Sequence, residues 1–165
     1  MTDQKFREPE KPALVFVPGA WHSPDAYQDV ISLLSIFNYE SHKVFLPSVG
    51  VTPGISSFQP DVDALRGKIS ELVEQGKDVI VILHSYGGMV GTEAVTEELT
   101  KKVREANGKQ GGVVRLLYIM AYALPVGSSV QGFHVSEAAA KREGQSNAML
   151  WDIDVSLAPL GSLIS

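Results

Sequence analysis

Cysteine is absent from these 165 residues, which excludes disulfides and thiolate metal sites. No apolar run approaches the roughly 18 residues that a membrane helix needs. The lead-in Met1 to Pro12 is charged and has no apolar signal region. A basic surplus is also missing. The chain carries 14 Lys and Arg against 19 Asp and Glu, a net charge of −5 spread along its length, whereas a nucleic-acid surface favours a basic patch. These absences predict a cytoplasmic protein that engages neither nucleic acid nor membrane, with no metal and no cofactor.

What is present is enough apolar material for a core, 44 % of the residues, in a chain of one-domain length. Ala13 to Val17 is a continuous apolar run, as in a strand buried on both faces. Ser23 and Pro24 give an N-cap followed by proline at the first helical position. That helix is predicted to reach about Phe37, with Val30, Leu33, Leu34 and Phe37 on one face. His42 to Leu46 reads as a second strand and Ser48 to Gln59 as a loop. Pro60 to Gln75 is the clearest helix, because Val62, Leu65, Ile69, Leu72 and Val73 follow the helical period and Gly76 ends it.

Asp78 to Leu83 is the third strand. A helix is predicted from Gly88 to Leu99, extending toward Glu105, and Val113 to Ala121 is the fourth strand. Strands alternating with helices of these lengths predict an α/β fold: a three-layer α/β/α sandwich with a parallel sheet. Residues 1–12 form a flexible lead-in and 13–126 the core. Residues 127–165 carry weaker signals: a short helix over Val135 to Lys141, an apolar stretch at Met149 to Ile153, and a tail without clear period.

The most informative stretch is Val79-Ile80-Val81-Ile82-Leu83-His84-Ser85-Tyr86-Gly87-Gly88. A buried strand ends abruptly in a serine and glycines, and a helix follows. A serine at such a turn has its hydroxyl pushed out of the sheet, as in the nucleophile elbow of serine hydrolases. The usual pattern is G-x-S-x-G. Gly87 keeps the second small position and Gly88 reinforces it, while Leu83 departs at the first. The same segment also reads as a glycine-rich turn with a capping serine. Pro18-Gly19-Ala20-Trp21-His22 follows the first strand, where this type of turn finds its other oxyanion donor. Gly19 lets backbone approach a ligand, Ala20 presents an N–H, and Tyr86 N–H is the second donor; Trp21 and His22 line the site.

A serine nucleophile needs a base, and the base needs an orienting acid. Of four histidines, His84 adjoins Ser85 in the turn, and its side chain is predicted to diverge from the serine. His22 either lines the pocket or makes local bonds at the helix entry. His42 begins a strand on the surface, and His134 falls beyond the fourth strand. Asp61 and Asp63 read as solvated first-turn residues, where negative charge is favourable. Asp152 and Asp154 have no strand before them. No acid or base is identified.

The pair Val-Phe-Val-Pro-Gly-Ala-Trp-His and Val-Ile-Leu-His-Ser-Tyr-Gly-Gly, with Leu117 to Pro125, resembles the α/β-hydrolase superfamily. The likeness is to its small branch of methylesterases and hydroxynitrile lyases and spans about Ala13 to Val126. It implies strand order second, first, third, fourth. It also implies Ser85 as nucleophile, Ala20 and Tyr86 as oxyanion donors, and a small ester as substrate through an acyl-enzyme. In that family the acid and histidine follow two further strands, so the chain resembles a C-terminally truncated member. Carbon–carbon lyase chemistry, or a non-catalytic remnant that binds ligands or partners, are the alternatives. The fourth strand then becomes an apolar sheet edge, predicting marginal stability and self-association.

Overall fold

The computed structural model describes residues 10–125, 127–129 and 132. Four strands form one parallel sheet: β1 (Ala13–Val17), β2 (Ser41–Lys43), β3 (Asp78–His84) and β4 (Gly112–Ile119), in the order β2-β1-β3-β4. The helices are α1 (Gln28–Ile36), α2 (Gln59–Glu74), α3 (Gly87–Ala94) and α4 (Lys101–Ala106). The α/β fold class and the strand order agree with expectation. β3 is the central organiser, pairing Ala13 to Val17 with Val79 to Leu83 on one side and β4 on the other. A register shift between Val79 and Ile80 leaves Val114 without an opposite residue, the signature of a bulge.

Alternate residues of the strands supply two cores, as a pleated sheet requires. Val15, Val17, Val79, Val81, Leu83 and Val113 face α2 and α3, where Val62, Leu65, Ile69, Leu72, Val73 and Val90 complete a dry interior. Leu14, Phe16 and Ile82 face the other way, against Tyr27, Ile31, Leu34 and Tyr39.

Four expectations need correction. The inward side of α1 carries Ile31 and Leu34, and Val30, Leu33 and Phe37 are exposed. The apolar arc of this helix is broad, so periodicity admits two faces and packing chooses. β2 is three residues, Ser41–Lys43, although Val44 and Leu46 are buried in the main core. The alternation is real, but the ladder ends before it. The predicted long helix stops at Ala94, because Val95 and Thr96 are extended. A 3-10 turn (Glu97–Leu99) follows, and α4 begins anew with Thr100 capping the N–H of Val103. Finally Asp61, expected in solvent, is 0 % exposed. Asp63 is exposed as expected, accepting from Gln59 and pairing with Arg66. The expected helix at Val135 to Lys141 and the tail readings lie outside the described residues.

At the amino ends of the strands Arg104 acts as a staple. Its guanidinium donates to the carbonyls of Val73, Gln110 and Gly111 and pairs with Glu74 at 2.8 Å. The polar hollow beside it, lined by Glu74, Gly76 and Lys109 among others, is therefore at the end of the sheet remote from Ser85.

Candidate active site

The carboxyl ends of β1 and β3 bring the two glycine-bearing turns together. β3 ends at His84, Ser85 follows, and α3 begins at Gly87. Ser85 has φ of +52°, a left-handed conformation that costs a non-glycine residue energy and persists where the surroundings enforce it. The enforcement is visible. A Cβ at Gly87 would lie 2.8 Å from the carbonyl oxygens of both Val17 and Pro18. One at Gly88 would lie 2.4 Å from the Tyr122 carbonyl oxygen. The Ser85 carbonyl accepts from the N–H groups of Gly88 and Tyr122 at 3.0 and 3.1 Å. The elbow is thus clamped between the end of β1 and the turn after β4, and only glycine admits that approach.

The Leu83 departure has a compensation that the motif did not reveal. Leu83 is fully buried, and a Cβ at Gly91, one turn into α3, would stand 2.3 Å from its Cδ2. The bulk gained on the strand is matched by bulk removed from the helix. Gly91 was not singled out in the sequence; its spacing of eight from Leu83, across a turn, was the available signal.

Gly19 meets the elbow directly: a Cβ there would be 3.1 Å from Ser85 Cβ and 3.2 Å from His84 Nδ1. The His84 ring and the Ser85 Cβ therefore both border Gly19. Ser85, His84, Tyr86 and Ala20 are half-buried. Among the described residues the N–H groups of Tyr86 and Gly87 take no backbone acceptor, as is usual for the first turn of a helix. Trp21, at φ +62°, stands in solvent with 90 % exposure. His22 is exposed, its Nδ1 2.7 Å from the Ala20 carbonyl oxygen. His42 pairs with Glu40. Among the described residues no histidine ring hydrogen-bonds Ser85, and no cluster of histidine and carboxylate side chains could hold a metal. His134, Asp152 and Asp154 lie outside the described residues.

The Tyr86 side chain runs inward. Its hydroxyl donates to Asp61 Oδ2 at 2.7 Å. Burial, then the hydrogen bond and charge of Asp61, push its phenol well above the ordinary tyrosine range.

A strained serine after a central parallel strand, facing a glycine turn from the neighbouring strand, defines the hydrolase type of α/β protein. The chain belongs to the alpha/beta hydrolase family: the model of that family matches residues 14–162. It is similar to the alpha/beta hydrolase nvfD of Aspergillus novofumigatus, with 40 % identity over 122 residues, covering 74 % of this chain and 48 % of that protein. A carbendazim hydrolyzing esterase of Nocardioides is 31 % identical over 136 residues, covering 74 % of this chain and 54 % of that one. Among solved structures, tomato methylketone synthase I complexed with 2-tridecanone superposes with a TM-score of 0.56 at 14 % identity, over 88 % of this chain and 50 % of that one. An extracellular alpha/beta-hydrolase from Paenibacillus gives 0.54 at 15 % identity, over 82 % and 53 %. The chain spans about half the length of the curated relatives it matches. Among the described residues no helix is long and apolar enough to cross a membrane.

Proposed function

We propose that this chain carries the nucleophile of a serine hydrolase site that acts on a small ester, with Ser85 forming the acyl-enzyme. The observation that carries this reading is the Ser85 backbone, at φ +52° and with Gly19 closing on its Cβ. A plain capping serine has no need of a strained backbone. In this mechanism Ser85 Oγ attacks the ester carbonyl carbon, and negative charge develops on the carbonyl oxygen. The N–H groups of Ala20 and Tyr86 receive that charge; such a donor lowers the barrier by about 3 kcal/mol. The ester C–O bond breaks and the Ser85 hydroxyl proton passes to the departing alcohol; water then attacks the acyl carbon, releasing the acid and restoring the hydroxyl. Gly19, Trp21, His22 and Gly87 border the ligand. Family membership and the esterase name of one relative support ester chemistry.

A second reading, ligand binding with little turnover, is favoured by one observation: no described histidine hydrogen-bonds Ser85. One experiment separates the two. The chain and its Ser85→Ala variant are incubated with p-nitrophenyl acetate, and the protein mass is followed. A Ser85-dependent acyl adduct with p-nitrophenol release supports the hydrolase. Equal release by both proteins and no adduct overturns it. The edge is a further part of the proposal: β4 pairs only with β3 among the described residues, and its apolar side chains favour pairing with a second copy.

A further inference from the structure

Burying a carboxylate is costly unless hydrogen bonds or opposite charge compensate. Asp61 is fully buried and has no ion-pair partner among the described residues. Its two oxygens are divided between two other segments. Oδ1 accepts the backbone N–H of Ser48, in the loop between β2 and α2, at 2.8 Å. Oδ2 accepts the hydroxyl of Tyr86, the residue after Ser85, at 2.7 Å. Asp61 itself sits in the first turn of α2, where the helix N-terminus favours negative charge.

We propose that Asp61 is a positioning residue of the elbow: one buried carboxylate that holds the Tyr86 phenol and the Ser48 amide, and thereby fixes the backbone of Tyr86 beside Ser85. The inference rests on the proposed reading of Ser85 as nucleophile and of Tyr86 N–H as oxyanion donor. The elbow is held from β1 through Gly87 and from the turn after β4 through the Ser85 carbonyl. Neither contact restrains the Tyr86 side chain. Asp61 supplies the hold from the α2 side, and the same group tethers the 48–58 loop. A carboxylate suits this role because it accepts two bonds without offering a donor, whereas an amide has only one accepting atom.

The test compares the full chain with Tyr86→Phe, Asp61→Asn and the double variant, using p-nitrophenyl acetate turnover with the Ser85→Ala rate subtracted. Each single variant is expected to lower kcat about tenfold, a fraction of what losing an oxyanion donor does, with KM nearly unchanged. The double variant is expected to be no worse than the weaker single one, because both act through one bond. Amide hydrogen exchange is read on the same proteins. Tyr86→Phe is expected to speed exchange about tenfold at Ser48, Gly88 and Met89 and to leave Val81 in the core unchanged. If the unmodified chain shows no Ser85-dependent turnover, the functional reading fails and exchange alone decides the clamp. Equal kcat in a chain that turns over, or exchange that is unchanged or uniformly faster everywhere, overturns the positioning role.

Discussion

The two faces of the sheet are finished to different degrees. Among the described residues, seventeen form a continuous apolar core against α2 and α3. Against α1 the core is three buried residues with partly exposed neighbours. Val30, Leu33 and Ile36 on α1, Phe37 just after it, and Leu117 and Ile119 on β4, present large apolar surface to solvent among the described residues. The elbow belongs to the finished face: Leu83 and Val90 lie in its core, and Tyr86 packs against it. The strained turn is therefore seated on the part of the molecule whose packing over-determines it, independently of how well the other face is covered.

The sharpest way to break that comparison is to cut each face. Leu65→Ala or Ile69→Ala is expected to cost about 2–5 kcal/mol, as for fully buried aliphatic side chains. Phe37→Ala is expected to stay within about 0.5 kcal/mol. Urea denaturation of the three variants checks this, and a comparable loss for Phe37→Ala would show that the α1 face is as tightly closed. Next in size is the join between strand and elbow helix. Gly91→Ala pushes a methyl into Leu83 and is expected to cost about 1–3 kcal/mol, the usual range for overpacking. Adding Leu83→Ala to the same chain is expected to recover part of that loss, and a double-mutant cycle measures it. Simple additivity would mean that the two residues are not matched.

These contrasts also mark what was legible in the sequence. β1, α2 and β3 were readable because their apolar spacing allows one arrangement only, and the turn glycines between them punctuate it. The strand-to-helix turn at Ser85 was legible because a buried strand, a serine and two glycines in that order are unusual. The inward side of α1 was not, since residues 30, 31, 33, 34, 36 and 37 are all apolar or aromatic and two stripes satisfy the same period. The break after Ala94 had a readable sign in Thr100, a helix-capping residue. Asp61 had none. Its burial depends on Tyr86, 25 residues away, and no local pattern reports such a contact.

A finer test of the finished face uses alkali. The Tyr86 phenol titrates above its ordinary 10.0 in the folded chain, so between the unfolded and folded pKa the folded state holds more protons. Its contribution to stability is complete below about pH 10 and is lost as pH rises toward the folded pKa. Tyr27 and Tyr118 shift the same way by burial, so the unmodified chain and Tyr86→Phe both weaken in alkali. The expected outcome is a shallower decline in Tyr86→Phe above pH 10, measured as urea midpoints; identical slopes would place the phenol outside the clamp. On the open side, Ile119→Lys is expected to change stability by no more than about 0.5 kcal/mol while reducing self-association in size-exclusion chromatography. An unchanged elution profile would remove the β4 edge from the proposed contact.

The positive φ of Ser85 sets stability against the proposed chemistry at a single position. Glycine occupies that region of backbone space without penalty, so Ser85→Gly is expected to melt above Ser85→Ala and at least level with the unmodified chain. A library of variants screened only for resistance to heat would then drift toward glycine at 85. The best folder recovered from it would have no hydroxyl at the elbow, so thermal screening of this protein has to be paired with a readout that needs the serine.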